Sequence, residues 1–464
     1  MIYRIPTLEV PADEPFRNDA LERRPTVEFL IRLIARAGGP FVLALDSPWG
    51  TGKTTLVRML EAELKRQEFS CIYLDAWQVD YVTDPLVALV SSIDRLEFGM
   101  EGATASFKEH LKKVRRVTSL VAKLSPVAAA KALTVGALDL AEEIEVAAAE
   151  LAGESVNDIV DAFQKEGVLL EKFRAELEKA IEQLPALGKK STLIFFVDDI
   201  DRCRPTFAIE LLERIKHLFD VPNILFVLSL DNKQLEASVS AVYGQKINAA
   251  EFLRPFIDLE YAIPVINAKQ FVESLFSRFQ LDEIFAQRKH SELRYDRSNF
   301  IGFFAALADA VPLSLRAQER CMTRLRVVMD QTPADQHLDP ALVAVLIVIR
   351  SDDPLLYAML CQGAATAKDV MNYLSSLPGG KKIVTDHMGM LIEAYFLATD
   401  ENEDRKDTAV NALVEAAQDE KNPDFQQHAL ELLEMLQHFE KPRRGVPRLS
   451  QITGKIDLAA GLGE

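Results

Sequence analysis

Cysteine is scarce in this sequence, and the few that occur stand far apart. Cys71, Cys203, Cys321 and Cys361 form no CxxC pair. Their spacing excludes a zinc cage and a secreted disulfide framework, and four small buried hydrophobes of a reducing cytoplasm are expected instead. Long apolar runs are missing too, although a membrane-spanning helix needs about 20 mostly apolar residues. The stretch from Val117 to Leu140 is interrupted by Lys123, Pro126 and Lys131, and Ala341 to Ile349 is closed by Arg350. Met1-Ile2-Tyr3-Arg4-Ile5-Pro6 has neither the apolar centre nor the cleavage site of a signal peptide. No membrane insertion is expected, and a cytoplasmic location is. Positive charge is in deficit: 53 Lys and Arg against 70 Asp and Glu leave a formal net charge of −17. That balance argues against a nucleic-acid coat or a polybasic membrane binder, because phosphate binding draws on clustered Lys and Arg. Nucleic acid stays possible at local patches, without support from the overall charge. The basic runs Lys112-Lys113-Val-Arg115-Arg116 and Arg443-Arg444 with Arg448 read as solvated faces, flanked by Glu109 and Glu440 and lacking interleaved aromatics.

What is present is an ordinary globular composition, 48% hydrophobic and 27% charged over 464 residues. That length predicts two to four structural units. Phe41-Val-Leu-Ala-Leu-Asp46 is too short for a helix and reads as a strand. It runs into Ser47-Pro-Trp-Gly-Thr-Gly-Lys-Thr54, after which Leu56, Met59, Leu60 and Leu64 recur at helical spacing. Further strand-like runs are Cys71 to Leu74, Leu193 to Val197 and Ile224 to Ser229. Pro205 can open a helix whose Phe207, Leu211, Leu212, Ile215 and Leu218 share one face. Strands alternating with helices predict an α/β fold with a mostly parallel sheet covered by helices. Residues 84–187 read as helices, and beyond Pro264 the pattern is helical nearly to the end. The segment from Lys441 onward is expected to be a loosely held tail.

Strand, glycine loop and helix in succession form the context of a phosphate-binding loop. Backbone N–H groups at a helix N-terminus supply the donors that phosphate oxygens need, and Gly50 and Gly52 permit close approach. Lys53 adds a point charge and the Thr54 hydroxyl can ligate Mg²⁺. Ser47 stands where the first glycine of GxxxxGK[ST] belongs, and Pro48 has no N–H, so the donors are expected from Trp49, Gly50, Thr51, Gly52, Lys53, Thr54 and Thr55. Leu193 to Val197 sets Asp198 and Asp199 at the C-terminal end of a buried strand, the edge where ligands bind in open α/β sheets. Asp198 is the expected metal-side carboxylate, and Asp199 the group that orients or deprotonates an attacking water. A plainer alternative has Asp199 or Asp201 capping the helix that begins near Pro205. Ser229, or Asp231 beyond it, ends the adjacent strand and can face the γ-phosphate or merely a turn. No NKxD motif for guanine is present, since Asp231-Asn232-Lys233 has the wrong order.

These residues resemble the KAP family of P-loop NTPases, within the broader STAND and AAA+-related group. The resemblance is carried by Pro48-Trp-Gly-Thr-Gly-Lys-Thr-Thr55, Asp75-Ala-Trp77, Phe196-Val-Asp-Asp-Ile-Asp-Arg-Cys203, Ser229-Leu-Asp231 and Phe252-Leu-Arg-Pro-Phe-Ile-Asp-Leu259. Upstream, Asn18-Asp19-Ala-Leu-Glu-Arg-Arg24 is similar to the segment lying near base and ribose. Over residues 15–330 the resemblance implies an NTPase core in two parts, 1–100 and 188–264. It further implies a helical insertion at 101–187 between Lys53 and Asp198, a helical lid at 265–330, and a helical partner-binding or oligomerisation region at 331–464. It also implies ATP and Mg²⁺ as ligands, Arg316 or Arg320 as a sensor arginine, and Arg254 presented toward a neighbouring subunit, a surface ion pair being the alternative for Arg254 and Arg316. Arg202 is expected to brace the acidic strand end or a subunit contact rather than touch phosphate. The function so implied is a Mg-dependent ATPase acting as a switch or motor subunit, in a homo-oligomer and with other proteins of an anti-phage defence or mobile-element system. The alternative is a nucleotide-dependent scaffold with little turnover.

Overall fold

The computed structural model describes residues 8–82, 84–99, 105–124, 159–264, 268–288, 295–311, 313–334, 339–419, 421–440 and 448–457. The chain divides into two compact units at Pro264/Val265. Each is built around its own apolar interior.

The first unit holds a five-stranded, all-parallel sheet. Its strands are β1 (Phe41–Asp46), β2 (Ser70–Asp75), β3 (Leu193–Asp198), β4 (Ile224–Leu230) and β5 (Leu259–Ala262), in the order β2-β3-β4-β1-β5. β3 and β4 are buried at every residue, as their unbroken apolar runs require when helices cover both faces. Alternation along each strand divides the core. Leu43, Leu45, Ile194, Phe196, Leu225 and Val227 pack with helices α1 (Arg24–Ile34) and α2 (Lys53–Arg66). On the other face Val42, Ala44, Phe195, Val197, Phe226 and Leu228 share a larger cluster with the helix Pro205–Leu218. There Phe195 stacks on Phe226 at 4.8 Å, and Phe219 meets both edge-on.

The helices Pro85–Gly99, Ala105–Leu124 and Ile159–Glu182 extend this second cluster through Leu89, Ile93, Phe107, Leu111, Phe173 and Leu177. The run Lys112 to Arg116 lies on the second of them, where Lys113 pairs with Glu109 at 3.0 Å. Residues 125–158, which include most of the apolar stretch ending at Leu140, lie outside the described residues.

β5 has no counterpart among the apolar runs of the sequence. It is an edge strand, Leu259-Glu-Tyr-Ala262, with mostly exposed residues, so neither an apolar run nor clean alternation announces it.

The second unit is helical throughout its described residues. Its centre is the helix Pro340–Asp352, in which Ala341 to Ile349 are all inaccessible to solvent. A helix apolar on every side belongs inside a helical core, which accounts for the run closed by Arg350. Among the described residues no helix is long and apolar enough to cross a membrane. The C-terminal tail departs from expectation: Leu449–Ile456 is a helix whose Ile452 and Ile456 are buried. Residues 441–447, with Arg443 and Arg444, lie outside the described residues.

Candidate functional site

Strand register gathers the polar residues at the C-terminal edge of the sheet. Ser229 is aligned with Leu45 of β1 on one side and Asp198 of β3 on the other. Asp198 is in turn aligned with Asp75 of β2. Adjacent strands lie about 4.8 Å apart, so this row brings Asp75, Asp198 and Ser229 together beside the loop that leaves β1.

That loop turns on Gly50 and Gly52, whose φ angles of 77° and 85° are left-handed and strain any residue with a side chain. Gly52 is the N-cap of the 14-residue helix α2. Helix geometry leaves the first N–H groups of α2 without partners in the helix; the first intrahelical bond here is donated by Leu56 to Gly52 at 3.1 Å. Ser47, in place of a glycine, uses its side chain to fix the loop: its Oγ donates to Thr51 Oγ1 at 2.7 Å, and Thr51 Oγ1 donates to the Pro48 carbonyl at 2.8 Å.

Lys53 is buried, and its ammonium donates to the carbonyls of Ser47 and Pro48. Burial lowers its pKa from the ordinary lysine value, while Asp201, Asp231, Asp198 and Asp199 act in the opposite direction. One cation thus faces four carboxylates. Thr54 is exposed and Thr55 half-buried in the first turn.

Asp198 is 1% exposed. Its Oδ2 accepts from the Tyr73 hydroxyl at 2.7 Å and its Oδ1 from the backbone N–H of Asp199 at 3.0 Å. Asp199 leaves the strand with φ 56°, which turns its side chain away from the direction strand alternation would give. Burial, and then Asp198, raise its pKa to about 6, against the pull of Arg202. Arg202 Nε lies 2.9 Å from Asp199 Oδ1.

Neither Asp199 nor Asp201 caps the helix Pro205–Leu218, which corrects that alternative. The N-cap is Arg204, and its N–H donates to Asp80 at 3.0 Å. Asp201 is committed elsewhere: its Oδ2 accepts from the Trp49 indole N–H and from the Asp231 backbone N–H, the latter at 3.0 Å. These partners lie 152 and 30 positions away, so nothing local in the sequence announces them. The Asp231 side chain caps the helix Asn232–Tyr243, accepting from Lys233 N at 3.2 Å.

Buried polar atoms at this edge without a hydrogen-bond partner include Ser229 Oγ, Asp201 Oδ1 and Arg202 Nε. Such atoms cost on the order of 1–3 kcal/mol when left unsatisfied. Together with the left-handed glycines, the N–H groups at the start of α2 and Lys53, the Ser229 hydroxyl, which can donate, fits a polyphosphate, whereas the Asp201 oxygen, an acceptor, does not; Thr54 and Asp198 fit the hard oxygen ligands of Mg²⁺. Arg23 was not singled out in the sequence as a site residue. It is 5% exposed, and its Nη1 donates to the Pro264 carbonyl at 2.8 Å.

Arg254 and Arg316 are both exposed, each on its own unit. Arg254 is exposed, 3.1 Å from Glu251, and precedes β5. The chain enters β5 beside Val42, where Asp258 N donates to the Val42 carbonyl at 3.0 Å. Arg316 is exposed in the first turn of the helix Leu315–Asp330, whose N-cap is Ser314.

The sequence model of the KAP family P-loop domain matches residues 23–331. No curated protein matches the chain.

Proposed function

Because the chain belongs to the KAP family of P-loop NTPases, we propose that it is a Mg-dependent ATPase working as a molecular switch. What supports this reading is one juxtaposition: buried Lys53 at the start of α2 within electrostatic reach of Asp198 and Asp199, with the partnerless Ser229 hydroxyl aligned beside Asp198 on the C-terminal edge of the sheet.

The residues divide the work by chemistry. The loop Trp49 to Thr55 offers N–H groups to the phosphates, and Lys53 moves from loop carbonyls to phosphate oxygens. Thr54 and Asp198 hold Mg²⁺, which when bound neutralises phosphate charge. Asp199 accepts a proton from, or aligns, the water that attacks the γ-phosphoryl group. Ser229 donates to the γ-phosphate. Arg316 is assigned to a sensor role and Arg254 to a neighbouring copy's site, in keeping with its exposure. The biological setting proposed on the family resemblance is a multi-protein defence or mobile-element complex.

Lys53→Ala should abolish nucleotide binding in calorimetry; retained affinity and turnover would remove the phosphate-loop assignment. Asp199→Asn should keep Mg·ATP binding while turnover falls about 10²–10⁴-fold. A wild-type protein that binds ATP with no measurable phosphate release would support the scaffold reading instead.

A further inference from the structure

The chain contains two tryptophans, and both face the same arginine. The Arg202 guanidinium carbon lies 5.6 Å from the Trp49 ring centroid and 5.5 Å from that of Trp77. Such distances place the cation within reach of both ring quadrupoles. Trp49 belongs to the phosphate loop and Trp77 to the short helix Ala76–Val79 that follows β2. Each indole is substantially exposed, at 43% and 55%. Neither is there to fill a core.

The clasp is tied at both ends. Arg202 forms an ion pair with Asp199, Nε lying 2.9 Å from Oδ1 without hydrogen-bond geometry, with both side chains less than one-fifth exposed. The Trp49 indole N–H donates to Asp201, which also receives the Asp231 N–H from the end of β4. Two ring contacts restrict the orientation of the planar guanidinium, and the guanidinium restricts the carboxylate, as a freely rotating ammonium would not. Asp199 needs such a restraint, because it stands among Asp198, Asp201 and Asp75, all of which repel it.

We propose that Arg202 is a positioning residue: gripped between Trp49 and Trp77, it aims the Asp199 carboxylate and couples that aim to the conformation of the phosphate loop. The proposal rests on the ATPase reading above and adds a regulated link within the same site. A shift of Trp49 when the loop takes up phosphate changes one wall of the clasp, and Arg202 transmits the change to Asp199 and Trp77.

The full-length chain labelled with 5-fluorotryptophan gives two ¹⁹F resonances, assigned with Trp77→Phe. Addition of ADP or Mg·ATP should move both in the wild type. In Arg202→Ala the Trp49 resonance should still move and that of Trp77 should stay. In steady-state kinetics Arg202→Ala should lower kcat by about 10²-fold and change KM by less than about threefold. Arg202→Lys should recover only part of the rate. Trp77→Leu, which keeps Arg202 and removes one wall, should lower kcat in the same direction, and it stands in should Arg202→Ala not fold. A Trp77 resonance that still moves in Arg202→Ala overturns the proposal, as does a loss confined to KM or full rescue by lysine. Wild-type protein that binds no nucleotide overturns the ATPase reading itself, a different and separable result.

Discussion

At the scale of single residues, burial decides which carboxylates do what. Asp339, at the N-cap of the helix Pro340–Asp352, is 2% exposed, and desolvation lifts its pKa to about 7 despite the hydrogen bond from Tyr395. Asp296, 3.6 Å from Arg288, is lifted to about 6 by the same cause. An acid whose folded pKa is raised favours folding while it is protonated. Between pH about 4, where unfolded aspartate titrates, and pH about 7, the native state holds more protons than the unfolded state, so stability falls as pH rises. Asp339→Asn keeps an acceptor for Tyr395 and a good N-cap without the charge. It should raise the Tm at pH 8 and flatten the fall between pH 4 and 7; a variant as pH-dependent as wild type would place the titration elsewhere. Sequence pattern set Asp198 at the C-terminal end of a buried strand, where β3 has it. It could not separate the roles of Asp199 and Asp201, because Trp49 and the Asp231 N–H reach Asp201 from distant parts of the chain.

At the scale of elements, legibility followed burial. β1, β3 and β4 were evident because both faces are covered, which demands unbroken apolar runs. β5 was not, since an exposed edge strand makes no such demand. The tail helix shows the converse. Its proline- and arginine-rich approach read as loose chain, yet the helix Leu449–Ile456 sets Ile452 and Ile456 into the helical unit, and Lys455 Nζ donates to Thr332 Oγ1 at 3.1 Å. Ile452→Ala should therefore cost about 2–4 kcal/mol in urea unfolding of this unit. Gln451→Ala, at an exposed neighbour, should stay within about 0.5 kcal/mol. Equal and negligible effects would mean that the helix contributes nothing to the unit.

At the scale of the whole molecule, charge and geometry bear on different things. The net charge of −17 describes the exterior, whereas Lys53 answers to four carboxylates in a buried setting. An arginine supplied by another copy is a way for such a site to gain positive charge at the moment of reaction. Arg254 suits that arrangement in one respect, because its side chain is exposed and held by an ion pair with an exposed Glu251. If it acts in trans, specific ATPase activity should rise with protein concentration and level off once the assembly is complete. Arg254→Ala and Lys53→Ala subunits, each inactive alone, should recover activity when mixed, since an Arg254→Ala subunit keeps an intact loop and a Lys53→Ala subunit still offers its arginine. Concentration-independent turnover by a monomer, with no recovery on mixing, would assign Arg254 to its ion pair with Glu251 and leave hydrolysis to groups within one chain.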